Sequence, residues 1–171
     1  MVELNTPDTQ ARDKHSFSNP DKVSLRHINL ELEVDFEAEQ IAGRATLHLN
    51  PHRESTLVLD THGLDIKAVT IGGLRTGLEY DLGQEVEHLG RPLSVLLPPQ
   101  AEVVQVDYLA RGNAGALQWL RPSQTTGGAY PFLFTQSQTI GARTWIPCQD
   151  TPRVRMTYNA RVKVPAGMMQ L

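Results

Sequence analysis

Two glutamines in the C-terminal third are the residues of this sequence whose type and spacing best suit a binding function. Only Ser137 separates Gln136 from Gln138, so on an extended segment both amides point to the same side. An amide offers two donors and an acceptor, which suit the amine and carbonyl groups of a peptide. The alternative is that both side chains bond to neighbouring loops, because polar side chains mostly serve the fold.

The histidines do not have the spacing of a zinc site. In H-E-x-x-H, two imidazoles share one helical face with a glutamate base between them, and no such motif occurs here. We therefore expect no metal site in this chain and interpret the histidines as exposed strand and loop residues. They are His15, His27, His48, His52, His62 and His88.

The single cysteine, Cys148, follows Pro147 and has no histidine near it in sequence. A catalytic thiol needs a base or a helix N-terminus that lowers its pKa, so a buried structural thiol is the better interpretation than a nucleophile. One cysteine also excludes an internal disulfide and a multi-cysteine metal cluster. A lone thiol fits a reducing cytoplasm, which is the location we expect.

Length and composition are those of one globular domain. The chain has 171 residues, of which 40% are hydrophobic and 20% charged, and its net charge is −3. No cluster of lysine and arginine predicts a nucleic-acid partner. No apolar run approaches the roughly 18 residues of a membrane span, so we expect no membrane contact.

Alternation of apolar and polar residues with period two dominates the chain and predicts an all-β fold. In 28–36 every even position is apolar and every odd one polar, as in a strand with one wet face. One helical turn at 116–120 is compatible with the local pattern. We expect a loose arm over 1–18 and a single all-β domain over 19–171. Further strand candidates are 45–49, 56–60, 67–71, 93–97, 103–109 and 154–164.

Several segments resemble the N-terminal domain of the leukotriene A4 hydrolase/aminopeptidase family of zinc metallopeptidases. The resemblance is densest over 115–158, which contains GALQWL, PFLF, Gln-Ser-Gln and PCQDTP, and it extends over most of the chain from His15. It implies a saddle-like all-β domain, with a large mixed or antiparallel curved sheet and smaller flanking sheets. Such a domain precedes a catalytic domain that carries the zinc.

The resemblance also implies roles for four residues. Gln138 would help hold the free N-terminus of a peptide substrate, with Gln136 and Ser137 beside it. Thr139 stands where the family often has alanine, at the wall of the first side-chain pocket. Substrate binding is therefore expected at Gln136, Ser137, Gln138 and Thr139.

The family's zinc ligands and catalytic glutamate do not occur in these residues. We therefore expect the chain to be a non-catalytic domain excised from a longer zinc aminopeptidase, and to be inactive alone. Its partners would be the catalytic domain in cis and peptide substrates. The alternative is a stand-alone β-sheet binding module that has no peptidase partner domain.

Overall fold

The structure, a computed structural model, describes residues 13–72, 74 and 76–168. Within these ranges it contains two single-turn 3-10 helices, Pro122–Gln124 and Ala142–Thr144, and no helix there is long and apolar enough to cross a membrane. The strands are β1 (Leu25–Asp35), β2 (Gln40–Leu49), β3 (Thr56–Thr61), β4 (Asp65–Ile71), β5 (Tyr80–Leu82), β6 (Arg91–Leu96), β7 (Val103–Arg111), β8 (Leu117–Leu120), β9 (Phe132–Thr135) and β10 (Thr157–Lys163).

The strands form three sheets. The largest has five strands in the order β10-β1-β2-β7-β4, and all its neighbours are antiparallel except β1 and β10, which run parallel. Strands β3, β6 and β5 form a second sheet, and β8 pairs with β9 in a third. The predicted all-β fold with a large mixed sheet and smaller flanking sheets is therefore confirmed.

One hydrophobic core joins the large sheet to the three-stranded sheet. The alternation in β1 buries Ile28, Leu30 and Leu32 and leaves Glu31 and Glu33 exposed, so one face of the large sheet is apolar and the other polar. From the three-stranded sheet the core receives Leu57, Leu59, Leu93 and Val95. Burial of apolar surface on this scale is the main stabilising contribution to such a fold.

The helical turn that the local pattern allowed at 116–120 does not form. Residues Leu117–Leu120 form strand β8, paired with β9 so that Trp119 lies opposite Leu133. The ring of Trp119 also contacts Phe36 edge-to-face, with ring centroids 5.5 Å apart. A short apolar run is compatible with either structure, and pairing with a strand distant in sequence decides between them.

The last predicted strand, 154–164, is shorter and more exposed than its alternation indicates. Strand β10 begins only at Thr157. Tyr158 was expected on the apolar face of this strand, but its side chain is 73% exposed. The reason is its place at the edge of the sheet, where only β1 adjoins it. Alternation identifies which side chains share a face, but it does not reveal whether another layer covers that face.

The predicted loose arm extends over residues 1–18, of which 1–12 lie outside the described residues. Residues 13–18 are not loose. Ser16 and Ser18 are buried, the Ser16 hydroxyl donates to Asp60 at 2.6 Å, and the backbone N–H of Phe17 donates to the same carboxylate at 2.7 Å. Thr151 adds a bond of 2.7 Å to Asp13. The lack of periodicity correctly indicated an irregular segment. It did not reveal that hydrogen bonds hold this segment in place.

We predict that Gly43→Ala lowers the free energy of unfolding by about 1–3 kcal/mol, the usual cost of overpacking. Gly43 on β2 lies opposite Tyr108 on β7, and a methyl group at Gly43 would overlap the buried ring of that tyrosine. Urea denaturation followed by tryptophan fluorescence measures the loss. Gly77→Ala is the matched control, because a methyl group there meets no atom within 4 Å. Equal losses in the two variants would contradict the packing argument.

Candidate functional site

The four predicted site residues lie in one tight turn between β9 and the 3-10 helix Ala142–Thr144. Gln136, Gln138 and Thr139 are exposed, and Ser137 is half-buried. The peptide bond between Gln138 and Thr139 is cis. The structure therefore brings the four residues together at the surface.

The two glutamines of this turn differ in what they contact. The Gln136 side chain folds back, and its Oε1 accepts the backbone N–H of Gln138 at 3.0 Å. The amide of Gln138 makes no hydrogen bond to any residue in the described part of the chain. The segment is a turn and not the extended strand from which both amides were expected to point to one side. Gln136 stabilises that turn, while Gln138 presents its amide to solvent.

Hydrogen bonds fix the turn at both ends. The indole Nε1 of Trp145 donates to the Ser137 hydroxyl at 3.1 Å, and the backbone N–H of Gly141 donates to the Ser137 carbonyl at 2.8 Å. The Thr144 hydroxyl donates to the Gly141 carbonyl at 2.8 Å and accepts from the backbone N–H of Ala116 at 3.1 Å. The turn is therefore attached both to strand β8 and to the short helix that follows it.

That short helix carries a fully buried arginine, Arg143. Its guanidinium donates four hydrogen bonds, to the side chain and carbonyl of Asp150 at 3.1 and 3.0 Å, to the Leu89 carbonyl at 3.2 Å and to the His15 carbonyl at 2.8 Å. Asp60, also fully buried, lies 3.7 Å from Nη1. A guanidinium has five N–H donors in a fixed fork, so one side chain can hold several backbone segments together.

Asp60 completes this cluster from the end of β3. Its carboxylate accepts bonds from the Ser16 hydroxyl and from the backbone N–H groups of Phe17 and Asp150, at 2.6, 2.7 and 3.0 Å. Burial raises the pKa of Asp60, and these donors together with Arg143 oppose that rise. Three donors and a nearby guanidinium match the ionised carboxylate, which is the form that this cluster is arranged to hold.

The corner after Arg143 is structural. Gln149 is buried, its Oε1 accepts the backbone N–H of Leu25 at 2.9 Å, and its Nε2 donates to the Val23 carbonyl at 2.8 Å. Cys148 is buried beside it, and burial, with added repulsion from Asp150 and Asp60, raises the pKa of its thiol well above the usual value. A buried thiol with a raised pKa is unsuited to nucleophilic attack, which agrees with the structural role predicted for Cys148.

Aromatic side chains border the turn on the β9 side. Phe132 and Phe134 occupy alternate positions of β9, their ring centroids are 6.3 Å apart, and they are 40% and 39% exposed. Tyr130, just before the strand, is 62% exposed. The side chain of Gln138 therefore lies at the end of a strand that presents apolar surface, the kind of surface that another domain or a ligand covers.

Sequence reasoning did not identify Arg143 and Asp60 as partners. They are separated by more than half of the described chain, and a charged residue is almost never fully buried unless it is paired. The available signal was weak: Asp60 ends an apolar strand, and Arg143 lies in a segment of small and apolar residues. Neither feature of the sequence indicates that Asp60 and Arg143 lie close together.

The described residues contain no group of three or more histidine, cysteine, aspartate or glutamate side chains that could hold a metal ion. The exposed amide, the fixed turn and the aromatic side chains beside it therefore form one surface of mixed polar and apolar character. In chemical terms, that surface can accept or donate hydrogen bonds and cover apolar groups.

Comparison with known proteins identifies the family. The model of the peptidase M1 N-terminal domain matches residues 24–171. The chain belongs to this family. It is thus an M1 N-terminal domain, the β-sheet unit that precedes the catalytic domain in these multi-domain peptidases.

Individual relatives agree with this assignment. Leukotriene A-4 hydrolase of Xenopus laevis is 38% identical over 166 residues, which cover 93% of this chain and 27% of that protein. Leucine aminopeptidase 2 of Phaeosphaeria nodorum is 32% identical, covering 98% of this chain and 27% of that protein. The chain thus spans about a quarter of the length of the curated relatives that it matches.

Solved structures give the same result. The structure of yeast LTA4 hydrolase in complex with bestatin matches with a TM-score of 0.85 and 30% identity, covering 96% of this chain and 27% of that one. An M1 zinc metallopeptidase from Deinococcus radiodurans matches with a TM-score of 0.61 at 22% identity, which supports the fold alone. The resemblance that the sequence motifs indicated is therefore confirmed over nearly the whole chain.

We predict that Arg143→Met lowers the free energy of unfolding of this M1 N-terminal domain by about 3–5 kcal/mol. The reason is that the fully buried Asp60, and Asp150 with a side chain only 13% exposed, would lose their cation. Urea denaturation measures the change, and faster protease cleavage within residues 136–141 would accompany it.

Arg44→Met is the matched control for this experiment. Its ion pair with Asp107, at 2.6 Å, is about half exposed, so its loss should cost no more than about 1 kcal/mol. An Arg143→Met domain as stable as the Arg44→Met domain would refute the role assigned to the buried cluster.

Proposed function

We propose that this chain is the non-catalytic N-terminal domain of a leukotriene A4 hydrolase-like zinc aminopeptidase, and that it supports the active site and binds the N-terminus of the peptide substrate. One observation carries the substrate-binding part. The Gln138 amide is exposed at the tip of a turn that hydrogen bonds fix at both ends, and no described residue bonds to it. Because the backbone of the turn is already fixed, a ligand that binds the Gln138 amide orders that side chain but little of the backbone.

Within this proposal the four residues of the turn have separate tasks. The Oε1 atom of Gln138 accepts a hydrogen bond from the substrate ammonium group, a charge-assisted contact. Gln136 and Ser137 hold the turn, through the Gln138 backbone and through Trp145. Thr139 borders the pocket for the first side chain of the substrate. Its β-branch and hydroxyl narrow that pocket relative to alanine.

Zinc belongs to the partner domain in this proposal. The described residues of this chain offer no group of three ligands of the usual types, so they do not fit a catalytic zinc. When bound, zinc polarises a carbonyl and activates water. The contribution of this chain is to bind and orient the substrate beside that centre.

The catalytic domain is the partner in cis, and the exposed aromatic surface of β9 supports a contact there. Phe132 and Phe134 lie next to the Gln138 turn, so a domain that covers them would bring its active site close to that amide. The relatives named leukotriene A-4 hydrolase and leucine aminopeptidase support a hydrolase as the parent. The single cysteine is consistent with a cytoplasmic parent.

We predict that Gln138→Ala in the full-length parent lowers kcat/KM for an aminoacyl substrate by about ten- to a hundred-fold. A hydrogen bond to a charged group contributes about 1.5–3 kcal/mol, and about 1.4 kcal/mol corresponds to a factor of ten. Gln138→Glu should retain more activity, because a carboxylate still accepts the bond and adds favourable charge.

Gln149→Ala is the matched control for this measurement. Its amide bonds two buried backbone groups rather than solvent, so the variant should lose stability and keep the kcat/KM of its folded fraction. Unchanged kinetics in Gln138→Ala, or a larger kinetic loss in Gln149→Ala at equal folded fraction, would overturn the proposed role of Gln138.

We predict that the 171-residue chain by itself hydrolyses no aminoacyl chromogenic substrate and retains no stoichiometric zinc after dialysis against a weak chelator. The reason is that the motifs that bind and activate zinc in such peptidases are not in its sequence. Hydrolysis above the rate of a buffer blank, or one zinc per chain after dialysis, would refute this expectation.

A further inference from the structure

The polar face of the large sheet carries a cluster of histidine and amide side chains that the proposed function does not use. His27 on β1 lies directly opposite His48 on β2, and their ring centroids are 5.4 Å apart with the rings inclined by 60°. Thr157 and Asn159 of β10 are the register partners of His27 and Asn29 on the other side. Three adjacent strands therefore bring these five side chains together.

One amide, that of Asn29, lies between the two imidazoles. The Nε2 atom of His27 is 2.9 Å from Asn29 Oδ1, and the Nε2 atom of His48 is 2.9 Å from Asn29 Nδ2. The Nε2 atoms of both imidazoles therefore face the same side-chain amide, that of Asn29. Asn159 Nδ2 approaches this point as well, donating to Asn29 Oδ1 at 3.3 Å and lying 3.4 Å from His27 Nε2.

The contacts define which ring nitrogens carry protons. Asn29 Nδ2 can only donate, so His48 Nε2 accepts this hydrogen bond with its lone pair, which is directed into the cluster. His27 Nδ1 lies 2.6 Å from the Thr157 hydroxyl, which can either donate to it or accept from it.

We propose that this cluster is an exchangeable binding site for a divalent transition metal ion, with Cu²⁺ the preferred ion. The ligands would be Nε2 of His27, Nε2 of His48 and Oδ1 of Asn29, and a rotation of the Asn159 amide would direct its oxygen at the ion too. Neutral imidazole suits copper, nickel and zinc, and affinity for a given nitrogen and oxygen site is greatest for Cu²⁺ in the divalent series.

Binding requires one change of tautomer and the loss of the hydrogen bond from Asn29 Nδ2 to His48 Nε2, because the lone pair of that ring nitrogen would bind the ion instead. The proton on His27 Nε2 moves to Nδ1, and that N–H then donates to the Thr157 hydroxyl, which already lies within hydrogen-bond distance. A ligating histidine ordinarily donates its other N–H to such an outer partner, which orients the ring. Thr157 is therefore a positioning residue for the site.

Two imidazoles are fewer than the three protein ligands of a catalytic zinc site, so the metal should exchange freely and should not survive dialysis against a chelator. Its effect would be to link β10, β1 and β2 across the polar face. A ligand that binds only the folded chain raises its stability, so saturating metal should raise Tm.

The test is a titration of the purified chain with CuCl₂, followed by isothermal calorimetry and by electron paramagnetic resonance of the bound ion. We expect one site with nitrogen coupling from two imidazoles. His27→Ala and His48→Ala should each weaken binding by at least about tenfold, and Thr157→Val should weaken it by about tenfold through the outer contact. Metal should raise the Tm of the unmodified chain but not that of His48→Ala.

His88→Ala is the matched control, because His88 is an exposed loop residue far from β1 and β2 in sequence and should leave the affinity unchanged. Circular dichroism of each variant verifies folding, and Zn²⁺ and Ni²⁺ should bind more weakly than Cu²⁺. Resonance spectra without coupling from two imidazoles, or a double variant His27→Ala, His48→Ala that binds Cu²⁺ as tightly as the original chain, would overturn the proposal.

Discussion

A buried guanidinium is the interaction on which the rest of this domain depends. Arg143 has no exposure to solvent, and its donors reach the N-terminal segment at His15, the loop at Leu89 and the corner at Asp150. Asp60 adds the end of β3 and, through its own bonds, Phe17. Strands alone would leave these irregular segments free to move, because backbone pairing within a sheet does not constrain loops at its edge. The buried guanidinium of Arg143, whose N–H donors point in fixed directions, holds these irregular segments in place.

The turn formed by residues 136–139 is held in place through this cluster. Arg143 lies in the short helix whose Thr144 bonds Gly141, and Gly141 in turn bonds Ser137. The backbone of the turn that carries Gln138 is therefore connected to the core by a few consecutive hydrogen bonds, although the Gln138 side chain is itself exposed. A rigid scaffold that carries an exposed polar group is the usual arrangement for recognition, since binding then orders little that was not already ordered.

The polar face of the large sheet is a second, separate chemical surface. It carries ion pairs such as Arg44 with Asp107 and Lys163 with Glu33, at 2.6 and 2.7 Å, and the histidine and amide cluster near the start of β1. Exposed ion pairs contribute little to stability because water and salt screen them. The histidine cluster is different in kind, since its hydrogen bonds converge on the single amide of Asn29.

The sequence by itself determined the fold class and the family. Period-two alternation in 28–36 required a strand with one buried face, and the Gln-Ser-Gln and PCQDTP motifs led to the M1 N-terminal domain family, which the family match confirmed. Both inferences depend on local pattern, which a sequence displays directly.

Only the tertiary structure decided which side chains act together. It separated Gln136, which bonds its own turn, from Gln138, which faces solvent. It joined Arg143 to Asp60 and His27 to Asn29 and Thr157, and it left β10 exposed at the sheet edge. The physical reason is that charge pairing, hydrogen-bond geometry and burial act between atoms that are close in space. Residues distant along the chain become neighbours only when the sheets form.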